Sequence, residues 1–155
     1  MTTFFLFQFG ILVFAIASAV EEAAFTYPFR ELSNEQFNFE TKFKKSRIAH
    51  GAGAVGVLAL LVMIAAVQFL QSTNPGFWIR ALAGITAAFA CGLIYWFAFN
   101  LIYNQQINQR AFFLGTTAAT DIFLQKTLGK KAGLKTALFC LVGIIAINLT
   151  YKTLT

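Results

Sequence analysis

The chain has 155 residues, of which 58% are hydrophobic and only 12% charged, too few polar groups to cover a water-soluble domain of this size. The net charge of +6 does not point to nucleic acid, because the 12 basic residues gather beside apolar runs and form no separate basic module; lipid headgroups are the expected anionic partner. Two cysteines, Cys91 and Cys140, both deep in apolar segments, exclude a disulfide framework and read as small packing residues.

The first apolar run, 4–20, is uncharged and close to the shortest helix that crosses a hydrocarbon core about 30 Å thick. Ala17-Ser18-Ala19 has the small-residue pattern of a signal-peptidase site. However, no Lys or Arg precedes the run, and cleavage would leave the next basic connection outside, so an uncleaved span is expected. Glu21 and Glu22 follow the run directly. Hydrated carboxylates at the membrane boundary are the expectation, and proton or ion coupling is the sharper alternative, since acids inside a membrane are costly and usually functional.

The connection 21–47 should be partly helical. Pro28 is expected to end the first helix, and Ser33 or Asn34 to cap an amphipathic segment in which Phe37, Phe39 and Phe43 alternate with Glu40, Lys42, Lys44 and Lys45. Lys44, Lys45 and Arg47 would meet lipid headgroups as the chain enters a second span, 48–70. His50 is the single histidine. It reads as an interfacial polar residue, because one imidazole cannot provide paired haem ligands and no Cys, Asp or Glu lies within helical reach of it; no metal or other cofactor is expected.

Gln71-Ser72-Thr73-Asn74-Pro75-Gly76 predicts a tight helical hairpin, with Trp78 and Arg80 at the interface and a third span over 81–102. Small residues recur at helical spacing in both middle spans: Ala49, Gly53 and Gly56, then Gly84, Ala88 and Gly92. Such stripes let backbones approach closely, either inside the protomer or as a docking face for another membrane protein. A second long connection, 103–132, holds Arg110. Thr117 or Thr120 can cap a short helix carrying Asp121 in its first turn and Ile122, Phe123 and Leu128 as apolar contacts, with Gly129 placed to end it. Lys130 and Lys131 then lead into a fourth span, 133–151, in which Lys135 snorkels to the interface.

Of the 12 basic residues only Arg80 and Lys152 lie off the two long connections and the helix start that follows the second. The positive-inside rule therefore puts both connections in the cytoplasm, N-out and C-out. The expected fold is an all-α integral membrane protein, one domain over 1–155, with four transmembrane helices and two amphipathic cytoplasmic loop segments. Gln8, Gln68, Thr86, Tyr95, Asn100 and Asn148 are scattered over all four spans, which favours hydrogen bonds between helices over a polar path. With no Ser/His/Asp set and no phosphate loop, the chain is not expected to be an enzyme.

Trp96-Phe97-Ala98-Phe99-Asn100-Leu101-Ile102-Tyr103-Asn104, followed by Arg110, Phe112-Phe113-Leu114-Gly115-Thr116-Thr117-Ala118 and Asp121, resembles a segment of small uncharacterised membrane proteins of Bacteroidota and their phages. Ala111 stands where that pattern has glycine. The resemblance covers about a sixth of the chain, implies a bacterial or phage membrane origin, and assigns no activity. The expected role is a non-enzymatic accessory or assembly subunit of a membrane complex, or a structural membrane protein of a phage or bacterium. Its partners would be the lipid bilayer and other membrane subunits or further copies of itself. Its location would be the bacterial inner (cytoplasmic) membrane, or alternatively the membrane of a lipid-containing virion. A small oligomeric transporter or ion channel is the alternative role.

Overall fold

Among the described residues five helices follow one another: α1 (Thr2–Glu31), α2 (Phe39–Gln71), α3 (Phe77–Gln106), α4 (Ala119–Leu128) and α5 (Ala132–Leu154). The structure, a computed structural model, describes the backbone of residues 2–31, 39–107, 109–114 and 119–154, and the side chains of 3–23, 53, 55–107, 109–114 and 121–151. Among the described residues there is no strand. The expected caps Ser33, Asn34 and Thr117 lie outside the described residues.

Two features of the first connection differ from expectation. Helix α1 continues through Pro28 to Glu31. Proline removes one hydrogen bond, to the carbonyl four residues earlier, and so close to the end of the helix the rest of the ladder carries the chain one turn further. Helix α2 already begins at Phe39, so the basic stretch 42–47 belongs to the same continuous helix that enters the bundle, not to a separate surface segment. In the second connection α4 starts at Ala119, which places Thr120 inside the helix and not at its cap. Gly129 does end α4: its φ of +65° is the left-handed conformation glycine adopts without strain, and its N–H donates to the Gln125 carbonyl at 2.9 Å.

Among the described residues, three helical segments are long and apolar enough to cross a membrane: Thr3–Ala23, Phe77–Gln106 and Ala132–Tyr151. The apolar stretch described within α2 is shorter, Val55–Gln71. These helices have no strongly one-sided apolar stripe, as expected of elements whose outer face is also apolar. Helix α3 is the axis of the bundle, and α1, α2 and α5 each lie along it, while α4 rests on α5. Helix α2 runs antiparallel to α3, with Ala65 opposite Gly84 and Leu61 opposite Gly92. The start of α1, the α2–α3 turn and the end of α5 thus share one end of the bundle, called here the terminal end. The end of α1, the start of α2 and α4 lie at the other, the loop end.

Packing is inverted relative to a soluble bundle. Ala15, Ala19, Ala83, Ala87 and Ala90 are fully buried, whereas Phe9, Phe89, Phe123 and Phe139 are more than half exposed. Water would reject that outer surface; lipid does not. Close helix approach through small residues, with large side chains turned outward, is the arrangement that gains dispersion contacts in an apolar solvent. These helices mark the chain as a membrane protein.

Candidate functional site

A polar network joins three helices at the terminal end. Tyr151 of α5 and Gln68 of α2 are 2% and 5% exposed, and the tyrosine hydroxyl donates to the Gln68 side-chain carbonyl. The Tyr151 ring stacks on Phe4 of α1, with centroids 3.7 Å apart and planes 13° from parallel. One turn deeper, Gln8 Nε2 donates to Asn148 Oδ1 at 3.0 Å, and Asn148 Nδ2 donates to the Ile144 carbonyl at 2.8 Å. Two residues of α5 therefore tie α1 and α2 together across α3. The network is not closed: Gln68 Nε2 in the last turn of α2 and Ser72 Oγ just after it are buried without a hydrogen-bond partner.

The turn that joins α2 to α3 is locked by its own polar atoms. Asn74 Oδ1 accepts from the Gly76 N–H at 2.9 Å, an Asx turn. Arg80 Nε donates to the Phe69 carbonyl at 3.0 Å, and its guanidinium lies 4.5 Å from the Phe69 ring centroid. That carbonyl is in the last turn of α2, where backbone acceptors lack intrahelical partners and a cation is favoured by the helix dipole. Arg80 is thus half-buried against α2, while Trp78 beside it is fully outward.

At the loop end, residues 109–114 fold back beneath α3. Buried Asn104 donates to the Phe113 carbonyl at 3.1 Å, and Gln125 of α4 to the Leu114 carbonyl at 3.0 Å. The Phe112 ring meets Phe97 at 4.9 Å, and the Phe112 carbonyl lies so close to Gly133 of α5 that no larger residue would fit there. Lys135 Nζ donates to the Leu128 carbonyl at 2.7 Å, closing the end of α4 instead of reaching away from the protein. Arg110, Lys126, Lys130 and Lys131 remain exposed around this fold-back.

The small-residue stripes separate. A methyl group on Gly84 would collide with the Ala65 carbonyl of α2, so this glycine permits backbone contact inside the protomer. Ala88 is half-buried, and Gly92 has ordinary clearance from Leu61. Gly53 and Gly56 instead are exposed, and a methyl group on either would meet nothing within 4 Å. Ala49, Lys44, Lys45, Arg47 and His50 belong to α2, but their side chains lie outside the described residues. Glu21 is exposed and Glu22 half-buried on α1. Cys91 and Cys140 are buried and unbridged. Thr86 is half-buried, and Asn100 turns back to the Trp96 carbonyl of its own helix.

Sequence reasoning missed Tyr151, Asn104, Gly133 and Gly143. Tyr151 lies three residues after Asn148 and so shares its helix face, a spacing that could have joined it to the polar set. A methyl on Gly143 would come within 2.8 Å of Leu93, so Gly143, like Gly133, marks a close approach of α5.

Between α1 and α5, floored by α3, lies a lateral groove of about 350 Å³ walled by Phe5, Phe9, Leu12 and Ile144 above Ile94 and Phe97. Among the described residues, no three His, Cys, Asp or Glu side chains cluster. Compared with protein-family models, curated proteins and solved structures, the chain matches none.

Proposed function

We propose that this chain is a non-enzymatic, multi-pass component of a membrane, an accessory or assembly subunit of a larger membrane complex or a structural membrane protein. The observation that carries the reading is the divided use of its small residues. Gly84 is consumed in packing α2 on α3, while Gly53 and Gly56 stand open on the outer side of α2. An exposed small-residue face of this kind fits close approach by another membrane helix, from a partner subunit or a second copy. The polar side chains inside the bundle are mostly spent on ties between helices or on their own helix, which suits a packing element better than a conducting path.

In this reading α2 crosses the membrane as a fourth span, its 33-residue helix being long enough even though the described apolar part is short. The excess of Lys and Arg on the loop end makes that end cytoplasmic and both termini external, in the bacterial inner membrane or the membrane of a lipid-containing virion. Lys44, Lys45, Arg47, Arg110, Lys130 and Lys131 would then face anionic headgroups. The test is native purification in mild detergent, followed by mass spectrometry of the intact assembly. A stoichiometric partner or homo-oligomer that is lost on Gly56→Leu supports the proposal; a solitary monomer in both proteins refutes it.

A further inference from the structure

We infer that the groove between α1 and α5 seats one acyl chain of an anionic phospholipid, with its phosphate held by Arg110, Lys130 and Lys131 at the loop end. The inference rests on the membrane reading and is independent of any protein partner. The groove is apolar, and the one amide on its wall, Gln8, is bonded to Asn148, so its ligand has to be bound without hydrogen bonds. Its rim residues Phe5 and Phe9 are half or more exposed, so it opens sideways towards the hydrocarbon. Bulky rings on the rim keep a helix backbone away, since helices dock through small residues; a single hydrocarbon chain is slim enough to lie between the rings.

The two ends of the groove differ. Towards the terminal end, the Gln8–Asn148 hydrogen bond and the Phe4–Tyr151 stack draw α1 and α5 together. Towards the loop end, the floor residue Phe97 meets the Phe112 ring. Arg110 is two residues from Phe112, and the Phe112 carbonyl abuts Gly133, two residues from Lys131. The fold-back therefore carries its exposed cations to the groove's loop end, where a lipid phosphate would emerge. Charge complementarity at that end selects an anionic headgroup over a zwitterionic one.

The experiment uses the full chain in mild detergent with phosphatidylglycerol or phosphatidylcholine of equal chain length. Phosphatidylglycerol should raise the thermal unfolding midpoint more than phosphatidylcholine and remain bound as one lipid per chain in native mass spectrometry. Arg110→Gln with Lys130→Gln should reduce its effect to that of phosphatidylcholine, and Leu12→Trp, which fills the groove, should abolish the bound lipid. Equal shifts from the two lipids in the unaltered protein, retention of the lipid by Leu12→Trp, or the same shift from inorganic phosphate alone would each overturn the inference. As a check that needs no variant, phosphatidylglycerol with a photoactivatable acyl chain should label peptides containing Leu12 or Ile144; labelling confined elsewhere also overturns it. A chain released from membranes by alkaline carbonate fails the membrane reading itself, whereas a retained chain with no lipid preference fails only this inference.

Discussion

Replacing Tyr151 by phenylalanine removes one hydroxyl and leaves the ring in place on Phe4, so its effect isolates the hydrogen bond to Gln68. Gln68 is 5% exposed and its Nε2 already lacks a partner, so the variant leaves the whole amide unsatisfied in a dry site. An unmet buried polar group costs about 1–3 kcal/mol, whereas hydrogen bonds between membrane helices average about 0.6 and reach about 1.7 kcal/mol. A loss of roughly 1–2 kcal/mol is therefore expected, equivalent to about 5–30-fold in the folding equilibrium. Gln68→Leu should cost less, because it also removes the orphaned Nε2. The double variant Tyr151→Phe/Gln68→Leu should recover most of the first loss, giving a coupling of about 1 kcal/mol. Reversible unfolding in mixed micelles, followed by the fluorescence of Trp78 and Trp96, measures all four corners of the cycle. Effects that add within about 0.5 kcal/mol would refute the claim that this bond ties α5 to α2.

The divided glycines predict a sharp contrast: Gly84→Ala should destabilise by about 1–3 kcal/mol through collision with the Ala65 carbonyl, and Gly56→Ala should stay within about 0.5 kcal/mol, in the same unfolding assay. Arg80→Met should cost about 1 kcal/mol by removing both the cap on the end of α2 and the contact over Phe69, and hydrogen exchange should rise in the last turn of α2. Lys131 has a φ of +65° without being glycine, so Lys131→Gly should raise stability by about 1 kcal/mol; a loss on heating would show that the lysine makes a compensating contact. Finally, in a background with Cys91 and Cys140 replaced by alanine, a cysteine at Thr73 should react with an impermeant reagent from outside intact cells and one at Arg110 only after lysis; the reverse pattern overturns the assigned orientation.

Whatever depends on neighbours along the chain was legible from the residues alone. Apolar content identified a membrane protein, Asn74-Pro75-Gly76 identified the turn, and Gly129 identified the end of α4, because hydropathy and turn chemistry act within a few residues. Pro28 shows the limit of that local reading: its missing donor is a small cost that a helix can carry near its end, so α1 continues to Glu31.

The direction each helix faces was decided only by the tertiary structure. In water, one apolar stripe points to the core; in lipid both faces are apolar, and the periodic signal that would orient a helix is lost. Gly56 and Gly84 look alike in sequence, and only the packing of α2 on α3 assigns one to the outside and the other to a backbone contact. The same holds for Tyr151 and Gln68, which stand 83 residues apart and meet only because α1, α2 and α5 converge on α3. The residues themselves determined that these helices are at home in lipid; which sides of them touch follows from close packing among small residues, a property of the assembled bundle that no single segment contains.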